Sequence, residues 1–150
     1  MSAVLMRIKP WFKKCLYAFL TCSWFTGVAF FVLNTWVRVA GDFGPEKHPA
    51  QFKVLVIHGV SAFIMLMLLG AVFFNHVPLG WRSKRLRYIG LSLLSFASIQ
   101  IVTALVLYYL ANETVREWAV YVHLVTGLVL PLLLLIHVRM AKQQKTSAVR

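Results

Sequence analysis

The feature that most limits how this chain can fold is a set of four apolar runs: Leu16 to Val37, Phe52 to Val77, Tyr88 to Ala111 and Trp118 to Val138. A helix that crosses a bilayer takes about 20 residues, and each run is long enough. Only Lys53, near the start of the second run, interrupts them with a charge. Backbone amides in lipid have no water to bond, so each run must satisfy its own, and a continuous helix does so. The ten-residue alternation of a barrel strand is not seen. The expected fold is therefore an all-α membrane protein, one four-transmembrane-helix bundle occupying residues 1–150. Composition bears on this at one point. The chain is 60% apolar and 13% charged, against about 25% charged in a soluble domain, which excludes a soluble or disordered chain.

Charge then sets an orientation. The chain has 16 Lys and Arg against 4 Asp and Glu. Arg7, Lys9, Lys13 and Lys14 precede the first run, Arg82, Lys84, Arg85 and Arg87 separate the second from the third, and Arg139, Lys142, Lys145 and Arg150 follow the fourth. These three segments would share one face of the membrane and contain no acidic residue. On the other face Arg38, Lys47, Lys53 and Arg116 are balanced by Asp42, Glu46, Glu113 and Glu117. The positive-inside bias places both termini in the cytoplasm of a multi-pass protein, expected in a bacterial inner membrane. Topology thus accounts for the basic excess, and no nucleic-acid partner is needed. The first run is too long for a signal-peptide core, and Arg38 would spoil cleavage before Gly41, so an uncleaved span is expected. Trp11, Trp36, Trp81 and Trp118 sit near run ends, as interfacial anchors do. Residues 41–49, GDFGPEKHP, read as a turn-rich outer loop. Residues 112–118 read as a short link that caps the fourth helix through Thr114 and Glu117.

Histidines carry the chemistry. His58 and His76 lie in the second run, His123 and His137 in the fourth, and an ionisable group within a membrane span is by default a functional candidate. The 18 residues between His58 and His76 make five turns, so both rings leave one face. The 14 residues between His123 and His137 make nearly four turns, an offset of about 40°. The two runs cross in the same direction, so His58 can face His123 and His76 can face His137. Such a pair can grip an iron porphyrin from both sides, which gives two haem b groups held by axial imidazoles within a helical bundle. The rises differ, at about 27 Å against 21 Å. Helix tilt, distortion at Pro131 or fraying before Pro78 is expected to absorb the difference.

Other residues fit around this core. Gly127, one turn below His123, leaves room for a macrocycle, as Gly59 and Ala62 do beside His58. Phe63, Phe73 and Phe74 could pack on porphyrin edges. Arg38, with Lys53, and Arg82, with Lys84, Arg85 and Arg87, are candidates to hold propionates, although topology and headgroup attraction explain most of the inner cluster. Asn34, Asn75 and Gln100 read as interhelical glue, and Ser92, Ser95 and Ser98 as a close-packing stripe. His48 reads as a solvated loop residue. Cys15 and Cys22 read as plain apolar residues. Absence of a Cys-x-x-Cys-His run makes attachment non-covalent. A structural zinc site would want four ligands, where each depth here offers two histidines.

HGVSAF at 58–63, NHVPLGWR at 75–82, the TALVLYY end of the third run and HLVTGLVLPLLLLIHV at 123–138 resemble the small bacterial four-helix di-haem b-type cytochromes over about 90 residues. The resemblance implies axial ligands at His58, His76, His123 and His137, and electron transfer between a quinone pool and a redox partner such as another subunit or a soluble cytochrome. Two other readings remain open from the residues: a superoxide or small-oxidant:quinone oxidoreductase working at the outer haem, and a haem-free scaffold or assembly factor whose histidines join helices.

Overall fold

The structure is a computed structural model that describes residues 8–83 and 86–147, and the four apolar runs are helices within it. Helix accounts for 84% of it. The elements in chain order are α1 (Pro10–Thr35), β1 (Arg38–Gly41), β2 (Gly44–Lys47), α2 (Ala50–Asn75), α3 (Val77–Ser83), α4 (Arg87–Tyr109) and α5 (Glu113–Ser147). α1, α2, α4 and α5 are each long and apolar enough to cross a membrane, so the chain has the make-up of a multi-pass membrane protein.

The helix ends follow local chemistry more than hydropathy. α1 starts at Pro10 rather than Leu16, because a proline at the first helical position has the right φ and no amide to leave unpaired. α5 starts at Glu113, five residues before the apolar run. The side-chain oxygen of Asn112 accepts from the Val115 amide at 3.0 Å. Asn112 is therefore the cap, and the expected Thr114–Glu117 box is not used: both residues lie inside the helix. The Arg116 guanidinium donates to the carbonyls of Leu107 and Leu110, tying the start of α5 to the end of α4, where a cation also meets the negative end of the helix dipole. Pro131 lies within α5, and the helix continues through it.

The segment expected to be a loop contains a β-hairpin. Arg38 pairs with Lys47, Val39 with Glu46, Ala40 with Pro45 and Gly41 with Gly44 in antiparallel register. Gly44 has φ +122°, a conformation open to glycine and closed to most side chains. Phe43 stands fully exposed at the turn. His48, expected to be solvated, is half-buried, and its Nδ1 accepts from the amide of Ala50, the first residue of α2, at 3.1 Å.

The chain divides after His76 into two compact units. In the first, α1 and α2 form an antiparallel helical hairpin. At the β-hairpin end Asn34 Oδ1 accepts from Gln51 Nε2 at 2.9 Å and from Lys47 Nζ at 3.1 Å. In the second unit α4 and α5 form another antiparallel hairpin, with α3 packed on α4. There Arg87 stacks 4.6 Å over the Trp81 ring and donates to its carbonyl at 3.0 Å. The few buried side chains in the described residues are small or flexible: Ser61, Met65, Thr103 and Ala119. The large apolar side chains point outward, as they do where the solvent is lipid. The four tryptophans expected at interfaces are all exposed.

Candidate cofactor site

Within α2, His58, Ser61 and Met65 follow one another at helical spacing along a single stripe, and Ser61 and Met65 are buried. His58 is half-buried against α1. Its Nδ1 lies 2.9 Å from the backbone oxygen of Ser23 and 3.4 Å from the Thr26 hydroxyl. A carbonyl oxygen only accepts, so Nδ1 carries the proton and, in the neutral ring, Nε2 carries the lone pair. Gly27 makes this approach possible. A Cβ there would lie 2.9 Å from His58 Cε1, closer than side-chain carbons come.

The α4–α5 hairpin repeats the arrangement. His123 is half-buried on α5, and its Nδ1 lies 2.8 Å from the hydroxyl of Thr103 on α4. The hydroxyl also lies 2.7 Å from the Ile99 carbonyl. With its one hydrogen directed there, Thr103 accepts from His123 in the tautomer that carries the proton on Nδ1 and the lone pair on Nε2. Gln100 adds a second hold, its amide donating to the His123 carbonyl at 2.7 Å and to the Thr126 hydroxyl. Gln100 is thus interhelical glue, as expected. Asn75 is not: its amide turns back to the Ala71 carbonyl of its own helix.

His76 and His137 lie further along the same helices. His76 is the residue just past α2, still in helical conformation, and its amide donates to Val72 at 2.8 Å. His137 lies in α5, half-buried.

The remaining candidates are less engaged. Arg38 is exposed on β1 and donates to the Val37 carbonyl at 2.9 Å. Arg82 is exposed on α3 and Lys53 on α2, and Lys84 and Arg85 lie outside the described residues. Gly127 has its side-chain direction filled by Gln100, 3.4 Å from where a Cβ would be, so its smallness serves α4–α5 packing on that side. Phe63, Phe73 and Phe74 are exposed, the last two meeting edge to face at 5.6 Å. Among the described residues, no three His, Cys, Asp or Glu side chains gather as a metal cluster.

Ser23, Thr26, Gly27 and Thr103 went unnoticed in the sequence. A faint signal existed. Ser23-x-x-Thr26 and Gln100-x-x-Thr103 share a spacing, as do His58-x-x-Ser61 and His123-x-x-Thr126, and residues three apart occupy one helix face. Comparison with protein-family models, with curated proteins and with solved structures finds no match.

Proposed function

We propose that this chain is a di-haem b-type cytochrome of the bacterial inner membrane, moving single electrons between a quinone pool and a redox partner, with both termini in the cytoplasm. The observation that supports it best is the duplicated histidine geometry. Two hairpins each present an imidazole whose Nδ1 proton is engaged by the neighbouring helix, which leaves Nε2 as the basic nitrogen. That is the state a neutral axial ligand needs, with the second nitrogen held by an oxygen acceptor. His58 and His123 would hold one haem and His76 and His137 the other, and the donor set of two imidazoles per centre fits a group that brings its own four equatorial nitrogens. Haem iron supplies reversible one-electron exchange.

The chain's own residues do the rest. The Ser23 carbonyl and the Thr103 hydroxyl hold ring protons, the Gln100 amide fixes the His123 backbone, and lipid-facing side chains exclude water from the spans. Arg38 and Arg82 offer cations for propionates at the two ends. The uneven distribution of Lys and Arg supports the orientation. A second reading, oxidation of superoxide with its electron passed to quinone, or reduction of a small oxidant by quinol, at the outer site, is favoured by the exposure of Arg38 and Lys53 near the β-hairpin. Quinone reduction driven by superoxide in the purified protein would select it.

The deciding experiment is purification in detergent followed by a reduced-minus-oxidised spectrum and a haem-to-protein ratio. A ratio near two is expected. A ratio near one removes the His76–His137 pair, and a colourless protein overturns the proposal in favour of a scaffold.

A further inference from the structure

The two histidine anchors are alike in one respect and different in another. Thr26 and Thr103 sit identically on their helices. Each hydroxyl lies 2.7 Å from the carbonyl four residues back and 3.2 Å from the one three back. Yet His58 bonds mainly to the carbonyl of Ser23, and His123 to the hydroxyl of Thr103. The residue after each threonine differs: Gly27 on α1, Ala104 on α4. Without a Cβ at 27, the His58 ring settles onto the α1 backbone and reaches a carbonyl. On α4, where the matching residue is Ala104, the ring meets the hydroxyl of Thr103 instead.

We infer that Thr103 is a positioning residue, and that Gly27 is its counterpart on the first hairpin. Thr103 commits His123 to Nδ1 protonation through a side-chain oxygen, and Gly27 commits His58 to the same state by opening a backbone oxygen. The inference rests on the cytochrome reading for its consequence, since an acceptor at Nδ1 makes the opposite nitrogen a stronger donor to iron. It does not need that reading for its geometry. The two imidazoles would then differ in basicity, and the His123 one can be altered by changing an acceptor side chain.

The test has two arms, both on the full chain in detergent. In the first, histidine 15N spectra are recorded on protein produced without haem supply. Nδ1-protonated rings are expected at His58 and His123. Thr103→Val, which keeps the shape and loses the acceptor, should abolish the Nδ1–H preference at His123 alone, and Thr103→Ser should restore it. In the second arm the same variants are loaded with haem. Thr103→Val should raise the midpoint potential of one centre and weaken haem retention by about 10–100-fold, with Thr103→Ser returning both toward the parent. A structural role alone would not move the potential of a centre that stays loaded. An Nε2-protonated His123 in the unaltered haem-free chain overturns the inference, as does a Thr103→Val protein with unchanged tautomer and potential. A chain that takes up no haem yet shows both Nδ1–H rings overturns the cytochrome reading and leaves the anchors standing.

Discussion

The α1–α2 and α4–α5 hairpins solve one problem with different parts. Each must hold a half-buried imidazole in a fixed orientation inside an apolar pair of helices. The first uses space: Gly27 lets the ring down onto a backbone carbonyl, with the Thr26 hydroxyl 3.4 Å away. The second uses side chains: Thr103 holds the ring, while Gln100 crosses to the His123 carbonyl and to Thr126. A backbone acceptor cannot be lost by substitution, but access to it can. A side-chain acceptor can be deleted outright without any clash. The two hairpins should therefore fail in opposite ways, one to added bulk and the other to lost polarity.

The largest effect should come from the rings themselves. His58→Ala or His123→Ala is expected to lower the haem-to-protein ratio from two to one, read from the difference spectrum, whereas a scaffold would tolerate either change. Next comes Gly27→Ala. Its new Cβ would push on the His58 ring, and overpacking of this kind costs about 1–3 kcal/mol. The variant should lose thermal stability in detergent and retain haem less well. Gly127→Ala is the control on the other hairpin. There the nearest atoms belong to a flexible amide at ordinary contact distance, and little change is expected. If both glycine variants behave alike, the contrast between space and side chains fails.

Gln100→Leu should have a smaller effect, about 1 kcal/mol for the lost interhelical bonds plus the buried acceptors left behind. Unfolding of the purified protein would register it, with His58 unaffected. The smallest effect on the centres should follow Gly44→Ala. It forces a side chain into a left-handed turn at a local cost of about 1–3 kcal/mol, visible as faster amide exchange in β1 and β2, with the haem ratio unchanged. A drop in that ratio would mean the β-hairpin supports the outer histidines after all.

Much of the architecture was legible from composition along the chain. The middle of every long helix coincides with an apolar run, because a bilayer crossing leaves no other arrangement of so many uncharged residues. The ends were less legible. Residues 113–117 are polar apart from Val115 and precede the apolar run, but Asn112 caps them into α5. The β-hairpin was hidden because its strands are four residues each and β2 carries Pro45. Half of the anchoring set was invisible for a different reason: Thr26 and His58 are 32 residues apart, and Thr103 and His123 are 20 apart, and nothing local marks a threonine that will meet a histidine across a helix interface.

By itself, then, the order of residues determined four membrane-length helices and the spacing of His58, His76, His123 and His137 along two of them, since helical rise and the cost of exposing amides to lipid act on each segment alone. Only the packing of α1 on α2 and of α4 on α5 decided which oxygen meets the Nδ1 of His58 and of His123. That choice depends on where an oxygen of another helix stands, to within a few tenths of an ångström, and no periodicity in a single segment encodes it.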